Sequence, residues 1–218
     1  MLTNLDQELF PDDCEVVLAP PHNLQIYLIQ KNGSSSLRTE AKKQNWKIVS
    51  NLDLMTLDSV DIFLRDPVDR YLSGVNTFVQ HLCRDHPMLD RDTCTHMALK
   101  YSFLNRHYLP QWHWILNLVR FLTKDCVIRL HDLSELENVT QLRDRAWILP
   151  YDQAWADLVL EHTRSLELWF LLDRILLGYR GESMTWQELL AIYHRHPACP
   201  LNIISKKFQS LTHVLSKT

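Results

Sequence analysis

The fold turns on residues 25–39, Gln25-Ile26-Tyr27-Leu28-Ile29-Gln30-Lys31-Asn32-Gly33-Ser34-Ser35-Ser36-Leu37-Arg38-Thr39. The apolar run from Ile26 to Ile29 has the length and composition of a buried strand. It stops at Lys31, and a helical pattern follows from Leu37. Between them lie one glycine, three serines and a cation. A strand, a loop of small residues and a helix N-terminus form an anion cradle, because backbone N–H groups and the positive end of the helix dipole converge there. Lys31 and the serine hydroxyls add donors. A phosphate-type ligand is the expectation.

Working outward, the pattern predicts a strand over residues 24–30 and a helix over 35–44 carrying Arg38, Lys42 and Lys43. Residues 1–23 read as an irregular lead-in punctuated by Pro11, Pro20 and Pro21, with Val16-Val17-Leu18 as a short edge strand. Residues 46–49 and 60–64 read as a second and third strand. The third ends at Arg65-Asp66-Pro67, where Asp66 suits a helix N-cap and Pro67 the first helical position. In the helix that follows, Val68, Tyr71, Leu72, Val75, Val79 and Leu82 make a core-facing stripe. Asp66, Arg70 and Ser73 share another face near the strand's carboxyl end, the edge where α/β sheets bind ligands.

Residues 84–123 lean helical, 126–130 read as a fourth strand, and Asp132 or Ser134 caps a short helix after it. Beyond residue 152 the pattern is helical. A long helix over 155–179 ends at Gly178 or Gly181, Thr185 and Glu188 form a capping box for 186–194, and a last helix covers 201–215. The expected fold is α/β: a small parallel sheet flanked by helices, with a helical C-terminal third. One domain spans residues 1–218, with a core at 24–137 and a helical part at 152–218.

Composition narrows the function classes. A net charge of −3 over 218 residues gives no footprint of a general nucleic-acid binder. Five scattered cysteines without a CxxC pair signal neither a zinc ribbon nor a disulfide framework, so reduced thiols in a cytoplasmic setting are expected. Residues 1–13 lack a signal-peptide core, and Glu167, Asp173 and Arg174 interrupt the most apolar window, so no membrane span is expected. His194 and His196 read as a solvated helix end, not a metal pair. The sequons at Asn32 and Asn138 read as accidental. Trp112, Trp114, Trp155 and Trp169 read as core.

The common nucleotide loops fail on spacing. No glycine is followed by Lys-Ser or Lys-Thr, and the loop's single glycine cannot supply a G-x-G-x-x-G fingerprint. Lys31-Asn32-Gly33-Ser34-Ser35-Ser36-Leu37 instead resembles the 5′-phosphosulfate loop of sulfotransferases. Arg65-Asp66-Pro67-Val68-Asp69-Arg70-Tyr71-Leu72-Ser73 resembles their 3′-phosphate motif, R-D-P-x-x-R-x-x-S. His107-Tyr108-Leu109-Pro110-Gln111 is similar to the H-x-x-P-Q segment of the carbohydrate (family 2 type) sulfotransferases, and residues 129–133 add a loose likeness. The resemblance covers residues 24–137.

That resemblance implies a P-loop-like fold and transfer of a sulfonate group from 3′-phosphoadenosine 5′-phosphosulfate (PAPS) to an acceptor hydroxyl, releasing 3′-phosphoadenosine 5′-phosphate, without a metal. It gives Lys31 the charge on the leaving oxygen. Asn32, Gly33, Ser34, Ser35 and Ser36 take the 5′-phosphate side, and Arg65 and Ser73 the 3′-phosphate. The base is either His107, whose ordinary pKa of about 6.5 suits the task, or Glu40. Family members with a base histidine just before the R-D-P strand have no counterpart here, since no histidine lies between His22 and His81. The acceptor is a carbohydrate or a small molecule. The rival readings are a kinase-like P-loop nucleotide-binding protein and an inactive interaction domain on the same fold.

Overall fold

The computed structural model describes residues 14–100, 108–140, 152–163 and 167–195. Its first strand, β1 (Glu15–Ala19), turns through Pro20–His22 into β2 (Leu24–Tyr27), and the two pair antiparallel with Val16 opposite Tyr27. The turn closes at Asn23, whose φ of 52° suits asparagine. β2 is followed by α1 (Ser34–Gln44), β3 (Ile48–Ser50), β4 (Ser59–Leu64), α2 (Pro67–Asp85), α3 (Arg91–Lys100), α4 (Gln111–Leu118) and β5 (Val127–Asp132). Next come α5 (Gln153–Thr163), α6 (Glu167–Leu177), β6 (Ser183–Thr185) and α7 (Trp186–Arg195).

The strands form one six-stranded sheet in the order β3-β1-β2-β4-β5-β6. Only β2, β4 and β5 are mutually parallel; β1, β3 and β6 pair antiparallel with their neighbours. The sheet is therefore mixed, which corrects the expectation of a parallel sheet. Two further corrections follow from pairing that local pattern does not report. The segment read as an edge strand within an irregular lead-in is an interior strand, since β3 lies outside β1 and Val16, Val17 and Ala19 are fully buried. The C-terminal third is not purely helical, because β6 closes the far edge against Val127–Arg129.

The sheet is covered on both faces. Val17, Ala19, Ile26, Leu28 and Phe63 pack under Leu37 and Ala41 of α1 and under Leu136 and Val139. On the opposite face Val60, Ile62, Leu64 and Ile128 meet Trp112 and Ile115 of α4, Leu172 of α6 and Leu189 of α7. The expected stripe on α2 is realised, though against helices: Tyr71, Leu72, Val75 and Val79 pack with Cys94, Ala98, Trp155 and Phe170. Trp112, Trp114 and Trp155 are core residues, as read. The helix expected over 155–179 is seen as α5 and α6, with residues 164–166 outside the described residues. The last helix at 201–215 and the histidine at 107 also lie outside them.

Two helix starts place the candidate site. Asp66 Oδ1 accepts from the backbone N–H of Val68 (2.9 Å) and Asp69 (3.1 Å), capping α2 as the sequence predicts. α1 begins differently: Gly33 is its N-cap at φ 78°, and among the described residues no side chain caps it. The positive φ is what favours glycine there; a Cβ would also stand 2.6 Å from Leu136 Cδ2, so that leucine would have to shift.

Candidate functional site

β2 and β4 run parallel, so the turns that leave them emerge at the same edge. Strand pairing in β2 ends at Tyr27, short of the expected residue 30, and Leu28 and Ile29 continue buried into the turn. That turn holds Lys31 at φ 70°, a left-handed conformation that costs a lysine roughly 1 kcal/mol. Its surroundings hold it there. Asn32 Nδ2 donates to Phe63 O of β4 (2.7 Å) and to Gln111 Oε1 (2.5 Å), which also consumes the nitrogen a glycan would need.

The two sequence motifs touch. The Arg65 guanidinium donates to the Lys31 carbonyl (3.1 Å). The Lys31 amine donates to Thr77 Oγ1 (2.8 Å), and that hydroxyl donates to the Ser73 carbonyl one turn earlier on α2 (2.9 Å). Ser73 and Ser34 are buried, Ser36 is half-buried and Ser35 is exposed. The first helical bond of α1 runs from Leu37 N to Gly33 O (2.9 Å), so the N–H groups of Ser34, Ser35 and Ser36 belong to the donor-rich first turn. The structure thus brings Lys31, Asn32, Gly33, Ser34, Arg65 and Ser73 into one neighbourhood.

Three cations, Lys31, Arg65 and Arg70, gather at this edge, with the buried Asp173 beside Arg70. Burial, then the nearby Arg70 and Arg65 cations, lower the Lys31 amine from its ordinary value to about 8. Burial also lowers Arg70 to about 10, with Asp173 opposing the shift and Arg65 adding to it. Arg70 donates to Gln30 O (2.9 Å) and to Leu109 O, and its Nε has no partner among the described residues. Asp173, fully buried on α6, is raised to about 6 by burial, which outweighs Arg70 and the N–H groups of Gln111 and Trp112. Cations lowered chiefly by burial, and further by neighbouring cations, gain from an anion bound beside them.

Glu40 stands apart. It is buried rather than on a solvated face, packed with Leu37 and Ala41, and its Oε1 accepts from Gln44 Nε2 (2.7 Å) with Lys43 Nζ at 4.0 Å. Both partners lie toward the C-terminal end of α1, away from the loop.

A second ionic cluster crosses the strands. Asp61 of β4, fully buried, receives Arg129 Nε (2.7 Å) and Nη2 (2.8 Å), faces His131 Nε2 (2.8 Å) and accepts from Gln25 N (2.7 Å). His131 stacks on Phe63 with ring centroids 4.8 Å apart, and its Nδ1 lies 3.6 Å from Glu135. The Asp61 bond, against a desolvation penalty and with further help from Glu135, raises the His131 pKa. With carboxylates at both nitrogens the protonated ring is favoured, and its bond to Asp61 ties β5 to β4.

The sequence places Arg70 on the ligand-facing side of α2 but does not single out three further participants. Thr77 sits at i+4 from Ser73, which places it on the same helix face. Gln111 stands inside a quoted motif without a role attached. Asp173 was read only as a charge that interrupts an apolar window; such a charge is itself a signal of a buried polar partner. Comparisons of the chain with protein-family models, curated proteins and solved structures return no match.

Proposed function

We propose that the chain is a PAPS-dependent sulfotransferase built on a P-loop-like nucleotide site. The observation that carries the reading is the contact between the two motif segments, Arg65 on the Lys31 carbonyl and the Lys31 amine on Thr77 beside Ser73. A ligand with separate 5′ and 3′ phosphates suits two adjoining anion-binding segments better than a single phosphate does. The donor set fits: a helix start with no side-chain cap among the described residues, a glycine held at positive φ, and a lysine whose protonation an anion would restore.

In this reading the amides and hydroxyls of Ser34, Ser35 and Ser36 hold the 5′-phosphate, and Arg65 and Ser73 hold the 3′-phosphate through charge-assisted bonds. The acceptor oxygen forms its bond to sulfur while the bond from sulfur to the 5′-phosphate oxygen breaks. The acceptor proton passes to a base, and the charge left on the departing oxygen falls to Lys31. Catalysis is then positioning plus preorganised charge. The base is His107 or Glu40; Glu40 Oε1 is engaged by Gln44, while its buried Oε2 has no hydrogen-bond partner among the described residues. The acceptor class is a carbohydrate or small-molecule hydroxyl.

Calorimetry with adenosine 3′,5′-bisphosphate in the presence of a chelator tests the reading, with metal-independent binding expected. Binding that instead requires magnesium and prefers ATP would replace it with the kinase-like reading. Nucleotide binding without transfer of labelled sulfonate to any acceptor pool would leave an inactive interaction domain.

A further inference from the structure

We infer that Gln111 and Asp173 are positioning residues that fix Lys31 and Arg65 relative to one another, so that the anion site is completed by the C-terminal helical region. The inference rests on the reading of the Lys31 and Arg65 segments as one nucleotide site. The Gln111 side chain is fully buried, and each hydrogen-bonding position of its amide is engaged. Its Oε1 accepts from Asn32 Nδ2 (2.5 Å) and from Arg65 N (2.8 Å); its Nε2 donates to Arg65 O (2.7 Å) and lies 3.5 Å from Asp173 Oδ2. One side chain therefore grips the residue after Lys31 and both backbone groups of Arg65.

Asp173 holds Gln111 in turn. α4 starts at Pro110, which offers no capping side chain, and Asp173 fills that role from α6. Its carboxylate accepts from Gln111 N (2.8 Å) and Trp112 N (2.7 Å). Arg70 closes the frame from the other side by donating to Gln30 O and Leu109 O. Residues 30–32, 65, 109–112 and 173 are thus one hydrogen-bonded unit. Its links end on the atoms that flank the two cations, whereas a packing role would be met at least as well by an apolar residue of similar volume.

Gln111→Met keeps the volume and removes the grip. With the near-ultraviolet circular dichroism unchanged, the variant is expected to bind adenosine 3′,5′-bisphosphate about tenfold more weakly and to turn over roughly 10²-fold more slowly, the scale of a displaced catalytic group. Its Lys31 amine, titrated by pH-dependent acylation and mass spectrometry, should move up measurably but modestly from about 8 as Arg65 drifts away, since burial and Arg70, the larger causes of its depression, remain. A folded variant with unchanged affinity and Lys31 titration overturns the inference. Should Gln111→Met fail to fold, Asp173→Asn, which keeps one acceptor oxygen, is read by the same affinity and turnover. In the wild-type protein, saturating bisphosphate should slow hydrogen exchange at the Gln111 and Trp112 amides, and unaltered exchange there counts against the inference. If the wild-type protein binds no bisphosphate, the nucleotide reading falls, while the Lys31 titration of the variant still decides whether Gln111 sets the loop.

Discussion

Two charged clusters sit on one sheet and have opposite character. Across the middle of the parallel strands, Asp61 meets Arg129 and His131, and each partner stabilises the other's charge. Burial opposes the Asp61 charge, yet the bonds from His131 and Arg129 bring its pKa below the usual carboxylate value, while the Asp61 bonds raise both bases. At the carboxyl edge, Lys31, Arg65 and Arg70 converge, and the Lys31 and Arg70 pKa values are depressed. The first cluster is balanced within the chain; in the second, Asp173 faces Arg70 while Lys31 and Arg65 gather with no carboxylate among the causes of the Lys31 shift, which is the arrangement the proposed anion site draws on. A structural ion cluster is recognised by mutual satisfaction, a ligand site by like charges held together against their preference.

Breaking the cationic cluster should have the largest effect. Lys31→Ala should lower sulfonate transfer roughly 10²–10³-fold, the scale for one preorganised charge stabiliser, in a single-turnover assay with labelled donor. Thermal stability should hardly change, because the lysine is held against its electrostatic preference.

The balanced cluster should show the reverse. Asp61→Ala should cost about 3 kcal/mol in urea unfolding, the low end for a broken buried pair, since Arg129 reaches solvent on one side. Equal stability losses for the two variants would erase the distinction between the clusters.

Arg65→Ala should weaken adenosine 3′,5′-bisphosphate binding by about 1.5–3 kcal/mol, the range for a hydrogen bond to a charged group, with a smaller effect on turnover at saturation. A turnover loss as large as that of Lys31→Ala would place Arg65 on the reacting group instead.

The pH signatures separate the clusters most finely. Burial and the neighbouring cations bring the Lys31 amine to about 8, so bisphosphate affinity should begin to fall as pH rises through that value, well above the range (about pH 6) where the ligand's own phosphates titrate. Above it, affinity should fall by up to about tenfold per pH unit, with proton uptake on binding seen as buffer-dependent heats. In the folded protein the His131 pKa is raised, so its stabilisation is full below its unfolded pKa and is lost as pH rises through the folded value. Asp61 is depressed, so its contribution is present above the unfolded carboxylate pKa and lost as pH falls through the folded one. Unfolding curves across pH, with and without bisphosphate, should resolve these windows.

Local signals made much of this legible. The glycine and serines before Leu37 marked the start of α1, and Asp66-Pro67 marked the start of α2, because cap chemistry depends on residues a few positions apart. The interior place of β1 was not legible, because it depends on β3 folding back outside it. β6 was hidden for the same reason: three residues with no alternation of their own take their conformation from β5. Glu40 looked like a solvated position by type, and its burial follows from how α1 lies on the sheet. The cation pair was visible as motif residues, whereas Gln111 and Asp173 hold them through contacts spanning 46 and 62 positions of sequence.

That last separation bears on the order in which the molecule forms. The β1–β2 hairpin closes over a four-residue turn, and α1 forms locally, so both can appear early in folding. The bond from Gln111 to Asp173 needs α4 and α6 already docked on opposite ends of a long excursion, and loop closure of that kind comes late. Nucleotide-binding competence should therefore lag the recovery of secondary structure in stopped-flow refolding. The edge that carries the proposed nucleotide site should then be the last part of the chain to assemble, and nucleotide binding would report that folding is finished.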